Sequence, residues 1–172
     1  MSHESVPAEP ALTLQLPTLI ISPTDVARLR RELVSLEDYL QQNHIRHPDL
    51  PIRLPRTSSL FEELGTANKL DWLIKEDRQK AATFLEFMKT QAPVIHISFA
   101  ADPSAIFMAK LVIWLRHNLH PQLLIRIGLQ PTMAAGCIIR TKNRIYDFSL
   151  RQHLIKSRDV LVDILRKNAV EP

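Results

Sequence analysis

The chain has 172 residues, of which 45% are hydrophobic and 23% charged, and a formal net charge of +4, a composition that fits one globular domain or two small ones. Its single cysteine, Cys137, excludes an internal disulfide framework and a cysteine-based metal site, and its 3 glycines form no glycine-rich phosphate loop. No apolar run approaches the roughly 18 residues that cross a bilayer, so the sequence predicts a cytosolic protein that other proteins hold at any membrane.

Residues 1–21 are polar and contain proline, and we expect them to be a largely disordered tail. The apolar run at residues 16–21 is compatible with a short strand or with a docking segment. Ser22, Pro23 and Asp25 then have the residue types that start a helix. This helix has a heptad-like apolar seam at Val26, Leu29, Leu33, Leu36 and Leu40. The seam is about two heptads long, which predicts packing inside a small helical bundle.

A second helical region follows a Pro-rich linker at residues 44–56, where three prolines disfavour helix. The region begins at Ser58 or Ser59, and Ser59 with Glu62 has the spacing of a capping box. Residues 65–68 are predicted to interrupt this region, so that a short helix precedes a longer one.

After Pro93 the sequence changes from helical periodicity to strand patterns, beginning with a β-branched strand at residues 94–99. Asp102 is predicted to cap a helix whose apolar face holds Ile106, Phe107, Leu111, Trp114 and Leu115. Three more strands are predicted at residues 123–127, 136–141 and 144–148. A tight turn at Lys142 and Asn143 would join the last two, because asparagine tolerates a positive φ. Ser149 can cap a final helix with an apolar face at Leu150, Leu154, Leu161, Ile164 and Leu165.

The predicted fold class is α+β. A helical region at residues 22–92 precedes a small C-terminal domain at residues 93–172 with a mixed β-sheet, in the order strand, helix, strand, strand, strand, helix. Helices that cover a face of a small sheet bury the apolar residues of both.

Four segments of the C-terminal half form a recognisable series. They are the strand end Ile97-Ser98-Phe99-Ala100, the turn from Leu129 to Gly136, the strand Cys137-Ile138-Ile139-Arg140 and the junction from Ile145 to Arg151. In their order and local residues, positions 94–167 resemble the C-terminal domain of the delta subunit of the rotary ATP synthase. The matching signature residues are Pro131, Gly136, Arg140, Asp147, Ser149 and Arg151. Ala135 stands where the family has the first of two paired glycines.

The resemblance implies a non-catalytic subunit of the peripheral stalk, which connects the catalytic head to the b-subunit stalk. It implies contact with the b subunit and with the N-termini of the alpha subunits, with no cofactor, metal or active site. It places the protein at the cytoplasmic face of the inner membrane, where membrane contact is only indirect through the complex. The residues that we expect to bind a partner are Trp114, Leu154, Leu161, Ile164 and Leu165.

Residues with reactive side chains have simpler structural interpretations. Cys137 lies in a predicted strand, where a small buried hydrophobe is the usual role of cysteine. Asp147 and Ser149 precede a predicted helix, and we expect Ser149 to cap it and Asp147 to accept bonds from backbone amides of the turn. The histidines have no spacing typical of a metal site.

Charge is unevenly distributed along the chain. Residues 1–90 carry 11 Lys and Arg against 13 Asp and Glu, and residues 91–172 carry 11 against 5, so their net charges are −2 and +6. Arg140, Lys142, Arg144 and Arg151 form a basic cluster around the predicted hairpin. Because few aromatic residues lie among them, a solvated or protein-facing patch is favoured over nucleic acid. Two alternatives to the stalk subunit remain, a stand-alone α/β protein-interaction module and a basic RNA-binding module.

Overall fold

A computed structural model of the chain describes residues 14–46, 53–133, 135–150, 157–158 and 162. Its helices are α1 (Pro23–Arg46), α2 (Ser59–Asn68), α3 (Lys75–Gln91) and α4 (Ala105–Asn118), and its strands are β1 (Val94–Phe99), β2 (Leu124–Leu129), β3 (Cys137–Arg140) and β4 (Ile145–Asp147). Three helices precede the sheet and α4 lies between its first two strands, which confirms the α+β class. None of these helices is long and apolar enough to cross a membrane.

The chain divides into two compact units. The helical unit contains the described parts of Met1–Pro93 together with Val112–Leu124. The sheet unit contains Val94–Leu111 and the described parts of Ile125–Pro172. Helix α4 therefore contributes its first half to the sheet unit and its second half to the helical unit.

Helix α1 begins as its sequence predicts. The Ser22 hydroxyl accepts a hydrogen bond from the Asp25 amide at 3.2 Å, and the Asp25 carboxylate accepts one from the Ser22 amide at 2.8 Å. This reciprocal pair satisfies amides that the first turn leaves without helical partners. The helix continues to Arg46, so the predicted start of the linker at residue 44 was wrong.

The apolar seam of α1 forms the centre of the helical unit. All five of its residues are buried, and α1 packs against α2 and α3. Helix α3 contributes its own buried set, Ala81, Phe84, Leu85 and Met88. Burial of each large apolar side chain stabilises the unit by about 1.5–3 kcal/mol. Because α1 packs its buried seam against two other helices, the predicted helical bundle is confirmed.

Helix α2 begins at Ser59, within the predicted start, but the capping box predicted for Ser59 and Glu62 is wrong. Ser58, not Ser59, is the N-cap, and its hydroxyl oxygen accepts from the Phe61 amide at 3.3 Å. The Ser58 amide and hydroxyl also donate to the Glu32 carboxylate, both at 2.6 Å. Ser58 therefore joins α1 to α2, and this contact between distant residues decides which serine is the cap.

Residues 65–68 do not interrupt the helix, because α2 runs through them to Asn68 and ends at Lys69. Lys69 has φ 53°, the left-handed conformation that commonly ends helices. Gly65 instead allows a close approach, since a Cβ there would lie 2.7 Å from the Trp72 indole nitrogen. The Trp72 ring also packs on Phe61, with 4.1 Å between ring centroids.

Residues 14–21, placed in the tail by the sequence, are held against the helical unit and form no strand. Ile20 is fully buried. The Arg116 guanidinium donates to the carbonyl oxygens of Leu16, Pro17 and Ile20, and also to that of Leu123. The docking interpretation of the apolar run is therefore confirmed.

The four strands form one mixed sheet in the order β2-β1-β3-β4. Strand β3 is antiparallel to both β1 and β4. Strand β2 runs in the same direction as β1, because the Leu124 amide bonds to the Pro93 carbonyl and the Gln130 amide to the Phe99 carbonyl. Such a parallel pair needs a crossover connection, and α4 supplies it.

Helix α4 buries Leu115 of the predicted face but exposes most of that face. Ser104, rather than Asp102, caps it by accepting from the Phe107 amide at 3.3 Å. Its buried residues are Met108, Val112 and Leu115, while Ile106, Phe107 and Trp114 of the predicted face are exposed. Apolar residues surround this helix, so its periodicity alone does not identify the side that packs inward.

The predicted final helix falls largely outside the described residues. Arg151, Leu154, Leu161, Ile164 and Leu165 are among the positions not described. Leu150 is helical and exposed, and it follows directly on Ser149.

Candidate functional site

The segments that carry the resemblance meet at one end of the sheet. The Ala100 amide, just after β1, donates to the Gly136 carbonyl at 3.3 Å. The Leu150 amide, just after β4, donates to the Ala135 carbonyl at 2.9 Å. The turn that precedes β3 is thus bonded to the ends of two other strands. Residues far apart in sequence form one local structure here.

Gly136 occupies the tightest point of this structure. Its φ is +97°, which residues with a side chain rarely adopt. A Cβ at this position would lie 2.3 Å from the Phe148 carbonyl oxygen and 2.9 Å from Ser149 Cα. Both the backbone conformation and the close approach require glycine.

Asp147 has the backbone role that the sequence predicts. Its carboxylate oxygen Oδ1 accepts a hydrogen bond from the Ser149 amide at 2.8 Å, which confirms that interpretation. Ser149 is buried, with 3% of its surface exposed. The helix amides that Ser149 is predicted to cap lie outside the described residues, so the capping role stays a prediction.

Two further signature residues, Pro131 and Arg140, lie within the described part of the chain, and Arg151 lies outside it. Pro131 is exposed in the turn after β2, and Arg140 is exposed at the end of β3, opposite Ile145. The β3–β4 connection is closed by Thr141, whose amide donates to the Arg144 carbonyl at 2.9 Å. Among the described residues only Lys69 combines a side chain with a positive φ, so the positive φ expected at Asn143 was wrong.

Cys137 is half-buried in β3. Burial raises the pKa of the Cys137 thiol, which favours the protonated form. A protonated thiol is a weak nucleophile and a poor metal ligand, in agreement with a packing role. Within the described parts of the chain, no three His, Cys, Asp or Glu residues are grouped so that they could hold a metal ion.

Large apolar residues are exposed along α4. Ile106 and Ile113 are 72% and 55% exposed, and Phe107 and Trp114 are 49% and 59% exposed. Each pair is separated by seven residues, two turns of helix, so the pairs form two parallel rows. We call these four residues the α4 outer face. Trp114, the residue expected to anchor a partner, is therefore a surface residue rather than part of the core.

A groove on the helical unit was not predicted from the sequence. It has a volume of about 640 Å³ and lies along α1 beside Lys89 of α3. Its lining combines apolar Val26, Ala27 and Val34 with the polar or basic Arg30, Arg31, Ser35 and Lys89. Val34 is 52% exposed, and its position next to the buried seam was the sequence signal that could have revealed the groove.

Neither a comparison with protein-family models nor one with curated protein sequences finds a match for this chain. Its function is therefore inferred from its own residues and from the resemblance of positions 94–167.

Proposed function

We propose that this protein is a non-catalytic delta-type subunit of the peripheral stalk of a rotary ATP synthase, connecting the b-subunit stalk to the catalytic head. The α4 outer face is the observation that carries the proposal. Contiguous exposed apolar residues on a soluble domain usually mark a binding surface. A helix with such a face is suited to packing against an amphipathic partner helix.

The local structure around Gly136 supports the same proposal. The resemblance is carried by short segments that are separated in sequence, and its glycine is a residue that this backbone requires. Segments that form one packed turn are constrained together, whereas chance matches along a chain have no reason to meet. The Asp147 carboxylate has a structural role, because it accepts a hydrogen bond from the Ser149 amide, and this suits a connector whose role is mechanical.

The groove on α1 is our candidate for the second contact, with the N-termini of the alpha subunits. An apolar floor with Arg31 at its edge would receive a short amphipathic helix that carries acidic residues. Arg30 and Lys89 already contact Glu86, at 3.1 and 3.7 Å, so they are partly neutralised. Arg31 is thus the basic residue of the groove that we expect to steer such a helix.

The test is calorimetric titration of the full-length protein with a peptide from the C-terminal end of the b subunit. We expect saturable binding that Trp114→Ala weakens by about thirtyfold, because exposed aromatic residues often contribute about 2 kcal/mol to an interface. Tyr39→Ala is the matched control, since Tyr39 is also exposed, at 38%, but lies on α1. It should bind the peptide as the unmodified protein does.

A folded protein that gives no heat with the peptide would remove the stalk assignment. It would favour the stand-alone interaction module, in which the α4 outer face binds a different helix. Peptide binding that is equally strong in Trp114→Ala and in Ile113→Ala would retain a stalk function but would exclude α4 as its site.

A further inference from the structure

The β3–β4 hairpin displays two aromatic rings to solvent. Tyr146 and Phe148 are 41% and 61% exposed. Their ring planes are nearly parallel, at 14°, and their centroids lie 6.5 Å apart. Strand β4 is at the edge of the sheet, so its outer side has no further strand of the sheet beside it. Two exposed rings with nearly parallel planes, one on the edge strand and one directly after it, form an aromatic platform.

Side-chain alternation assigns the charged residues of the hairpin to two faces. Residues two apart on a strand share a face, so Arg144, immediately before β4, lies on the face of Tyr146 and Phe148. Arg140 pairs with Ile145, and Ile139 pairs with Tyr146, which puts Arg140 on the opposite face. Lys142 is exposed in the turn itself. The aromatic platform therefore has one cation on its face and a second at its tip.

We propose that this face of the hairpin binds single-stranded nucleic acid, with bases stacked on Tyr146 and Phe148 and phosphates paired with Arg144 and Lys142. The inference goes beyond a stalk function and does not depend on it. The sequence disfavours nucleic acid because few aromatic residues lie among the basic ones, but the two that are present lie on the same side of the hairpin as Arg144, and both are exposed. Aromatic rings on a sheet, flanked by cations, are the arrangement on which unpaired bases stack.

An acidic protein segment is the competing occupant, and the platform favours nucleic acid over it. Carboxylates would pair with Arg144 and Lys142 but would leave two parallel rings without a partner. Bases provide flat faces for both rings and a phosphate for each cation. Binding should be independent of base sequence, because every base has a stacking face. With two phosphate contacts, log affinity should fall with log salt at a slope of about −1.4.

The experiment is fluorescence anisotropy with the full-length protein and labelled oligouridylate or oligothymidylate of about 12 nucleotides, over about 20–200 mM salt. We expect binding at low salt that is largely lost at the upper end of this range. Tyr146→Leu and Phe148→Leu should each weaken it about tenfold, because leucine keeps the apolar volume but has no stacking face. Tyr39→Leu, an exposed aromatic on α1, is the control and should bind normally.

A matched charge control lies in the same hairpin. Arg144→Ala should reduce the magnitude of the salt slope by about 0.7, whereas Arg140→Ala, with the same loss of charge on the opposite face, should leave the slope unchanged. Equal effects of the two substitutions would indicate general charge attraction and would overturn the proposal. Unaltered binding by both leucine variants would also overturn it, as would absence of binding at low salt. A further contradicting result would be that polyglutamate completely displaces the oligonucleotide from both leucine variants with the same affinity as from the unmodified protein.

Discussion

Gly136 occupies a position that requires both a positive φ and the absence of a side chain. Its positive φ and its contact with the backbone of Phe148 and Ser149 arise from one tight turn that joins the signature segment to the end of β4. Gly65 is a second case with a different cause, because it makes room for the ring of Trp72 within a regular helix. Each glycine is needed because neighbouring atoms leave no room for a Cβ.

Gly136→Ala should destabilise the protein by about 1–3 kcal/mol, since the added Cβ meets backbone atoms that cannot move aside as a side chain can. The measurement is the free energy of unfolding by chemical denaturation. Ala135→Gly, at the adjacent position, is the control and should change stability by less than about 1 kcal/mol. If Gly136→Ala is as stable as the unmodified protein, the turn does not have the geometry described.

The segment at residues 14–21 is an element without regular secondary structure that side chains hold in place. Asn68 of α2 accepts from the Gln15 amide at 2.6 Å and donates to the Gln15 carbonyl at 3.0 Å. Arg116 binds three further carbonyls of the segment. Burial lowers the pKa of the Arg116 guanidinium from its ordinary value to about 10. Arg116 thus remains charged at neutral pH, and its bonds to carbonyl oxygens are charge-assisted.

Arg116→Leu should cost about 2–3 kcal/mol, because buried carbonyls lose a charged donor. Backbone amides in residues 14–21 should also lose protection against hydrogen exchange, which mass spectrometry measures directly. Arg126→Leu removes an exposed arginine of β2 and should alter neither quantity. Unchanged exchange in residues 14–21 of Arg116→Leu would show that the apolar contacts of Ile20 hold the segment without help from the guanidinium.

The effect of Arg116 on stability should not vary between about pH 5 and pH 9. The pKa of Arg116 in the folded protein, about 10, lies below that of the unfolded chain, so the unfolded chain holds more protons only in the interval from about pH 10 up to its own pKa. Stability would rise with pH only in that alkaline interval. Below it the guanidinium is charged in both states and contributes no pH dependence.

The chain combines an acidic N-terminal half with a basic C-terminal half, with net charges of −2 and +6. Its three candidate binding surfaces differ in type. They are an apolar face on α4, an apolar groove with basic edges on α1, and an aromatic and basic face on the β3–β4 hairpin. Each is suited to binding rather than to bond-making chemistry. A protein of this kind should act by holding other molecules in place.

The purified protein should therefore release no phosphate from ATP and magnesium above the level of buffer. The physical reason is that the sequence has no phosphate-binding loop to position the nucleotide. Phosphate release is measured by a colorimetric assay, with a known ATPase as positive control. Magnesium-dependent turnover that co-purifies with the chain through several columns would contradict the proposed connector.

Local periodicity was sufficient to predict much of this fold. The strand at residues 94–99 has the bounds of β1, and the five-residue seam of α1 is buried throughout, because alternation and heptad spacing are properties of neighbouring residues. The role of Asp147 was also predictable, since its acceptor and the Ser149 amide are two residues apart. These features depend on short stretches of chain, and short stretches are what a sequence displays.

Other features depended on residues that meet only after folding. Ser58 became the cap of α2 because Glu32 of α1 reaches it, and Arg116 found its partners about 100 residues away. Apolar residues occupy most of the circumference of α4, so only the packed structure could bury Val112 and expose Trp114. The proposed binding surfaces were decided in the same way, because the exposure of a side chain depends on how all the other elements pack around it.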